Sequence, residues 1–554
     1  MTTLPASMSH LVVTPVLLPL ATAACLLMIG ERRRTARAVL SLVSMLAGLV
    51  VAVGLLIWVS GRTAPEAFAV YLPGNWPVPL GIVLVVDRLS ALMVVLANGV
   101  ALGSLLFSLA RWHRAGVHFH PLLQLQLAGL CGAFLTGDLF NLFVFFEVLL
   151  AASYGLLMHG GGGARVRASL HYIANNLVAS FLFLIGVALL YGVTGTLNMA
   201  DMAHKLPHVP ASDRGLLHAG AAILAIAFLT KAALWPLDFW LPPAYAAASA
   251  PVAALFAILT KVGVYAVLRL WTLCFPAGAG DSALFGADVL VWGGLATLTF
   301  GAVGMMASQQ LARLAGFSVI ASAGTLIAAI GFDQPALTAG ALFYLISSTL
   351  AASALFLLVE LMERARQVEQ APPVVDDDGD QLPFFLEGEQ ASTANLDDEE
   401  EALIGRAIPA ALAFLGLAFI VCALVIAGLP PLSGFVGKLA MLSALLAAGA
   451  IGSLAGQALF ILLLGSGLLA AIALMRVGMR HFWTAPERPA PRLRVVECVP
   501  IGLLLLACAG LVLQGEPVLD YLQETADTLH RPERYIDAVL ATRPVAHTTP
   551  AGRP

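Results

Sequence analysis

Fourteen apolar runs, each long enough to cross a bilayer, follow one another along this 554-residue chain. The roughly 30 Å hydrocarbon core of a membrane takes about 20 consecutive apolar residues of helix, and a backbone exposed to lipid can satisfy its polar groups only as helix or closed barrel. The runs fall at residues 10–29, 38–59, 81–110, 121–136, 139–158, 168–193, 216–241, 249–270, 283–306, 311–331, 336–361, 408–447, 452–475 and 495–514. Charged residues make up 11% of the chain, against roughly a quarter in an average soluble protein, which excludes an ordinary soluble enzyme. The expected fold is an all-α polytopic membrane protein of about 14 transmembrane helices.

Basic residues orient these runs. Arg32, Arg33, Arg34 and Arg37 follow the first run and none precedes it, so it reads as a retained span with its C-terminal end in the cytoplasm, not a cleaved leader. With the N-terminus outside, the cytoplasmic loops collect 17 Lys or Arg. The run at 408–447 could cross twice, but a second crossing would put Arg476, Arg480, Arg488, Arg492 and Arg494 outside. It therefore reads as one helix broken at Gly428-Leu429-Pro430-Pro431. Span 7 is broken in the same way by Leu234-Trp235-Pro236 and Leu241-Pro242-Pro243. Discontinuous helices 7 and 12, five spans apart, predict two inverted five-helix repeats.

The expected organisation is spans 1–3 in residues 1–120, a first repeat in 121–270, a second in 283–475, and span 14 with an external C-terminal tail in 476–554. The tail from Glu516 reads as one amphipathic helix and a frayed end, leaving both termini outside. An acidic cytoplasmic loop at 367–405 holds 11 of the 33 acids between Asp376 and Glu401, a composition that predicts disorder. Apart from that loop the charge is modestly positive, as topology signals require, and no basic stripe with interleaved aromatics points to nucleic acid. The six cysteines fall in or beside apolar runs without metal-ligand spacing and read as small buried hydrophobes. No metal or cofactor is expected.

The sharpest chemical signal is the placement of lysine. Of 29 basic residues only four are Lys, and Lys231, Lys261 and Lys438 lie inside apolar spans. A charge at the bilayer centre costs about 2.5–3.5 kcal/mol on insertion scales. Arginine keeps its proton, whereas a buried lysine can take one up and release it. Glu147, inside span 5, is the natural opposing charge for Lys231 or Lys261, either as a switch or as a structural ion pair. Lys438 follows the break of span 12, where unwound backbone tolerates water and ions. Accessory candidates are Asp238 beside Pro236, as a cytoplasmic mouth or a helix cap, and His171, as an inward relay or an interfacial histidine. Asp138 reads as an N-cap, and Asp87 as a local pair with Arg88 near the outer surface or a lateral contact. His113, His118 and His120 read as surface histidines. Ser180, Thr230, Thr260, Ser322, Ser347, Ser348 and Thr349 offer hydroxyls for a water chain or small helix contacts.

Several of these residues sit in ordered motifs. Gly137-Asp138-Leu139-Phe140-Asn141 leading to Phe146-Glu147, Leu229-Thr230-Lys231 leading to Trp235-Pro236, Thr260-Lys261-Val262-Gly263, and Gly428-Leu429-Pro430-Pro431 with Lys438 resemble the proton-conducting membrane transporter family. That family contains the antiporter-like subunits of respiratory complex I and the large subunits of Mrp-type cation/proton antiporters. Ser322 in span 10, and span 11 with Ser347-Ser348-Thr349, stand where complex I relatives usually carry histidine or lysine, so the chain is more similar to the D-type large subunits of the Mrp/Pha/Mnh antiporters. The resemblance implies inverted repeats around a hydrated midplane axis, with Glu147, Lys231, Lys261 and Lys438 as its proton pathway. It also implies Na⁺ or K⁺ exchanged for H⁺, partner subunits of a multisubunit complex, and a bacterial inner membrane. A proton-pumping subunit of a respiratory or hydrogenase complex and a non-conducting scaffold are the competing readings.

Overall fold

The computed structural model describes residues 10–30, 32–62, 67–370, 409–482 and 493–545. Its helices in order are α1 Thr14–Met28, α2 Arg34–Ser60, α3 Arg88–Ser108, α4 Phe119–Leu135, α5 Leu139–Leu157, α6 Gly163–Thr194, α7 Met199–Lys205, α8 Ala211–Lys231, α9 Leu241–Ala247, α10 Ala250–Phe256 and α11 Leu259–Cys274. They continue with α12 Ala287–Ala307, α13 Leu311–Gly331, α14 Pro335–Gln370, α15 Pro409–Ala427, α16 Ser433–Ala447, α17 Leu454–Phe482, α18 Val495–Leu513, α19 Gly515–Leu529 and α20 Pro532–Leu540. Twelve helical stretches among the described residues are long and apolar enough to cross a membrane, and α1, α4 and α16 are shorter apolar helices. This is an all-α, multi-pass membrane architecture.

Local chemistry sets the element ends. Asp87 begins α3 with a reciprocal cap, its carboxylate accepting from the Ser90 amide at 2.9 Å while the Ser90 hydroxyl accepts from the Asp87 amide at 2.8 Å. Asp138 caps α5 by accepting from the Asn141 amide at 2.8 Å. The breaks in spans 7 and 12 share one geometry. At the end of α15, Gly428 turns left-handed (φ 74°), its amide reaches the Val425 carbonyl at 3.2 Å, and the Leu429 amide reaches Leu424 at 2.9 Å. At the end of α8, Ala233 turns left-handed (φ 57°), its amide reaches Thr230 at 3.1 Å, and the Leu234 amide reaches Leu229 at 2.9 Å. Both are Schellman endings, which return two orphan carbonyls to hydrogen bonds. Prolines then prevent the helix from resuming at once, because they lack an amide and push the preceding residue out of the α region.

Packing brings small residues to the closest helix contacts. A Cβ on Gly294 of α12 would lie 2.3 Å from the Ala328 amide nitrogen, and one on Gly324 of α13 would lie 2.4 Å from that of Leu298. Backbones that close are what small-residue interfaces permit between helices in lipid. Gly263 does the same for the site: its Cβ would lie 2.6 Å from the Ala232 amide, so α11 closes directly onto the end of α8.

The structure departs from the sequence reading in several places. Span 3 does not begin at residue 81, because Leu84–Val86 pairs as a strand, β2, with β1 at Ala69–Tyr71 and the helix starts only at Arg88. The β-branched Val85 and Val86 favour that strand. The C-terminal tail carries two helices, α19 and α20, because Pro532 ends one run and starts the next. Cys25 is exposed and Cys498 half-buried, since each lies on an outward helix face rather than in the bundle interior. Helix α14 runs on to Gln370, and the remainder of the expected 367–405 loop lies outside the described residues.

Candidate functional site

The three intramembrane lysines are all buried, and each amine is held by neutral oxygen. Lys231 ends α8 and is 7% exposed; its Nζ lies 3.5 Å from the Ser180 Oγ of α6 and 5.1 Å from the centroid of the Phe146 ring. Standing in the last turn of its helix, it meets the negative end of the helix dipole. Glu147, the next residue after Phe146, is within electrostatic reach of Lys231 but makes no contact ion pair with it, and its Oε1 is buried without a hydrogen-bond partner. The pair sensed from the sequence is thus a separated one, with an aromatic ring beside the amine.

Lys261, only 1% exposed, sits in the first turn of α11 and donates to the Ser322 Oγ of α13 at 2.9 Å. Ser322 in turn lies 2.9 Å from the Ser348 Oγ of α14. One residue back, Ser347 bonds the Ser433 Oγ at the start of α16, 2.8 Å away. Five residues further along α16, Lys438 turns back across the break and donates to the Ala427 carbonyl, the last of α15, at 3.0 Å. A Cβ at Gly428 would come within 2.6 Å of the Lys438 side chain, so this glycine supplies both the left-handed turn and the room for the lysine. The hydroxyls singled out in the sequence therefore separate into two groups. Ser180, Ser322, Ser347 and Ser348 face the charged line, whereas Thr230 and Thr349 bond carbonyls of their own helices. The Thr260 hydroxyl is buried without a partner. Ser433 was visible only as part of the break motif.

The accessory residues fall in different places. Asp238 is buried in the break after α8, with one carboxylate oxygen unpartnered among the described residues. His171 lies well inside α6 on its exposed face, so it is not the first residue of that helix and does not face Glu147 from a buried position. Asp138 serves α5 as its cap.

For Asp87 the local pair with Arg88 is overturned and the contact is lateral. Its partner is not Arg88 but Arg269 of α11, in a bidentate pair at 2.6 and 2.8 Å with both side chains almost wholly buried. Arg88 turns away to Glu524 of α19 and the Arg62 carbonyl. Adjacent residues at a helix start diverge in direction, and the fork of an arginine across the bundle matches a carboxylate better than a neighbour can. Arg269 was missed, although the topology already placed Asp87 and residue 269 at the same end of the bundle. Lys261, Tyr265 and Arg269 share one face of α11 at four-residue spacing, and the Tyr535 ring of α20 covers the guanidinium at 5.2 Å. His120 is a second correction: it is buried, because α4 turns it into the packing with His113 and Phe119.

Comparisons with known proteins show what the chain is similar to. The family described as NADH:quinone oxidoreductase/Mrp antiporter, TM matches residues 136–373. The chain is 51% identical to a probable K⁺/H⁺ antiporter subunit, of the D type, from Rhizobium meliloti (strain 1021), over 96% of this chain and 98% of the relative. It is 34% identical to the D-type Na⁺/H⁺ antiporter subunit of Bacillus subtilis (strain 168), over 96% and 100%. Among solved structures, a chain of the Mrp complex from Dietzia sp. DQ12-45-1b superposes with a TM-score of 0.80 at 26% identity, covering 97% of this chain and 100% of that one.

Proposed function

This chain belongs to the D-type subunits of Mrp-type multisubunit monovalent cation/proton antiporters, and on that basis we propose that protons cross it along the line of buried lysines. It is an integral membrane subunit of such an antiporter and works with the other subunits of the complex. The observation that carries the proposed route is Lys261, which is fully buried yet held, among the described residues, by a hydroxyl alone. A protonated amine there has three donors and one neutral acceptor, whereas a neutral amine can also accept, so the site tolerates both protonation states. Protonated Lys261 can pass a proton to Ser322, which releases its own toward Ser348. The hydroxyl pair Ser347 and Ser433 extends the path toward Lys438. Glu147 biases Lys231 without locking it, since the two are not in contact. Asp238 is an accessory acceptor at one mouth. Transport is the activity, with no chemical conversion by the chain itself.

The reading also includes fourteen spans in two inverted repeats, residues 121–270 and 283–475, supported by the matching Schellman endings of α8 and α15. It places the chain in a bacterial inner membrane, which the bacterial relatives support, with both termini outside, from the bias of basic residues.

The test is cation-dependent proton movement in inverted vesicles carrying the whole complex, comparing Lys231→Ala, Lys261→Ala and Glu147→Gln with the parent at equal assembled protein. K⁺ and Na⁺ are compared as the driving cation. Exchange lost with assembly intact supports the lysine line. Unchanged exchange in all three variants overturns it and leaves a scaffold role for the chain.

A further inference from the structure

One cationic cleft takes no part in the lysine line. It lies between the start of α2 and the turn after α3, has a volume of about 440 Å³, and is lined by Arg34, Thr35, Ala38, Leu109, His113 and Arg114. Among the described residues neither Arg34 nor Arg114 forms an ion pair. His113 has its Nδ1 engaged by the Ser108 carbonyl at 3.1 Å. Burial holds this histidine below the ordinary range, and the charges of Arg114 and Arg34 add to the effect. Behind it lie further polar groups without partners among the described residues. The His120 ring lies 6.0 Å from that of His113 with neither nitrogen partnered, and the buried Arg37, whose charge reaches His120, has an Nε without a partner.

Two guanidiniums and a threonine hydroxyl converging without a carboxylate, beside a histidine whose Nδ1–H is spent on the Ser108 carbonyl, form a site for a phosphate ester anion. The surroundings decide what carries that phosphate. Val39 stands one turn beyond Thr35 on α2, and Val39, Val43, Leu46 and Val50 continue as an exposed apolar stripe. An apolar wall leading away from a basic cleft at a helix end accommodates acyl chains below a headgroup. A free phosphate has no use for it. We propose that the α2–α3 cleft binds the headgroup of an anionic phospholipid, with its acyl chains along the Val39–Val50 stripe, as basic pockets at helix ends do for acidic lipids.

The experiment uses the whole complex purified in mild detergent from its own membrane. Copurified phospholipids are quantified by mass spectrometry for the parent, Arg34→Gln, Arg114→Gln and the double variant. Arg33→Gln, an exposed arginine outside the cleft, is the control. Each cleft substitution is expected to weaken retention of anionic lipid about fivefold, with neutral phospholipid and the Arg33 variant unchanged. Delipidated parent complex is then given anionic phospholipid, neutral phospholipid or inorganic phosphate, and its thermal transition is followed. The proposal expects an upward shift with anionic lipid alone, and expects the double variant not to show it. Equal anionic lipid in parent and double variant overturns the proposal. So does an equal shift with inorganic phosphate, which would make the cleft a site for the free anion.

Discussion

Replacing Asp87 by Asn separates charge from shape at the buried pair with Arg269. Asparagine is a good helix N-cap, so the bond from the Ser90 amide to the residue-87 side chain, 2.9 Å in the parent, survives. The two charged hydrogen bonds at 2.6 and 2.8 Å do not, and the guanidinium, 6% exposed, is left without a counter-charge. Breaking one side of a buried ion pair costs about 3–5 kcal/mol. The cost falls where α3, α11 and the C-terminal helices meet, because Tyr535 covers Arg269 and the Tyr521 hydroxyl donates to the Arg88 carbonyl at 2.6 Å. Hydrogen exchange by mass spectrometry on the assembled complex reads this directly. Amides of α20 and of the first turns of α3 should lose protection by about two to three and a half orders of magnitude, a factor of ten for each 1.4 kcal/mol of local stability. Adding Arg269→Gln should restore most of it, since a neutral pair leaves no buried charge. Parent-like protection in Asp87→Asn, or a double variant no better than the single, would refute the argument that charge pairing holds this end of the bundle.

Three further outcomes are expected. Ser322→Ala removes the hydroxyl bonded to Lys261 and its link to Ser348; exchange in vesicles should slow by roughly 5- to 150-fold, from the loss of one buried bond worth about 1–3 kcal/mol, and Ser322→Thr should retain most of it. Ala233→Gly places glycine at the left-handed turn that ends α8 (φ 57°) and should stabilise the complex to heat by about 1 kcal/mol, the strain a Cβ carries there. Gly294→Leu forces a side chain where even a Cβ would lie 2.3 Å from the Ala328 backbone, so α12 and α13 must separate; a loss above about 3 kcal/mol is expected, read as absence of the subunit from the assembled complex.

The amino-acid order alone settles everything that depends on length, solvent and local chemistry. A run of about 20 apolar residues must become a helix in lipid, and basic residues report which loop stays behind. Prolines after Gly428 and Ala233 must break a helix, and a lysine inside such a run is too costly to be incidental. The helical membrane class, the breaks at spans 7 and 12, and the burial of Lys231, Lys261 and Lys438 within the bundle were legible on those grounds.

Which faces meet was not legible, because in lipid the outward and inward faces of a helix are both apolar and periodicity no longer distinguishes them. Only the tertiary structure joined Asp87 to Arg269 across 182 positions and Lys261 to Ser322 across 61. It alone placed Phe146 rather than Glu147 against the Lys231 amine, and turned Lys438 back onto the end of α15. A buried charge must be answered by some partner, but which one depends on close backbone approaches such as Gly263 against Ala232, a contact between segments remote in sequence and decided by the packing of the whole bundle.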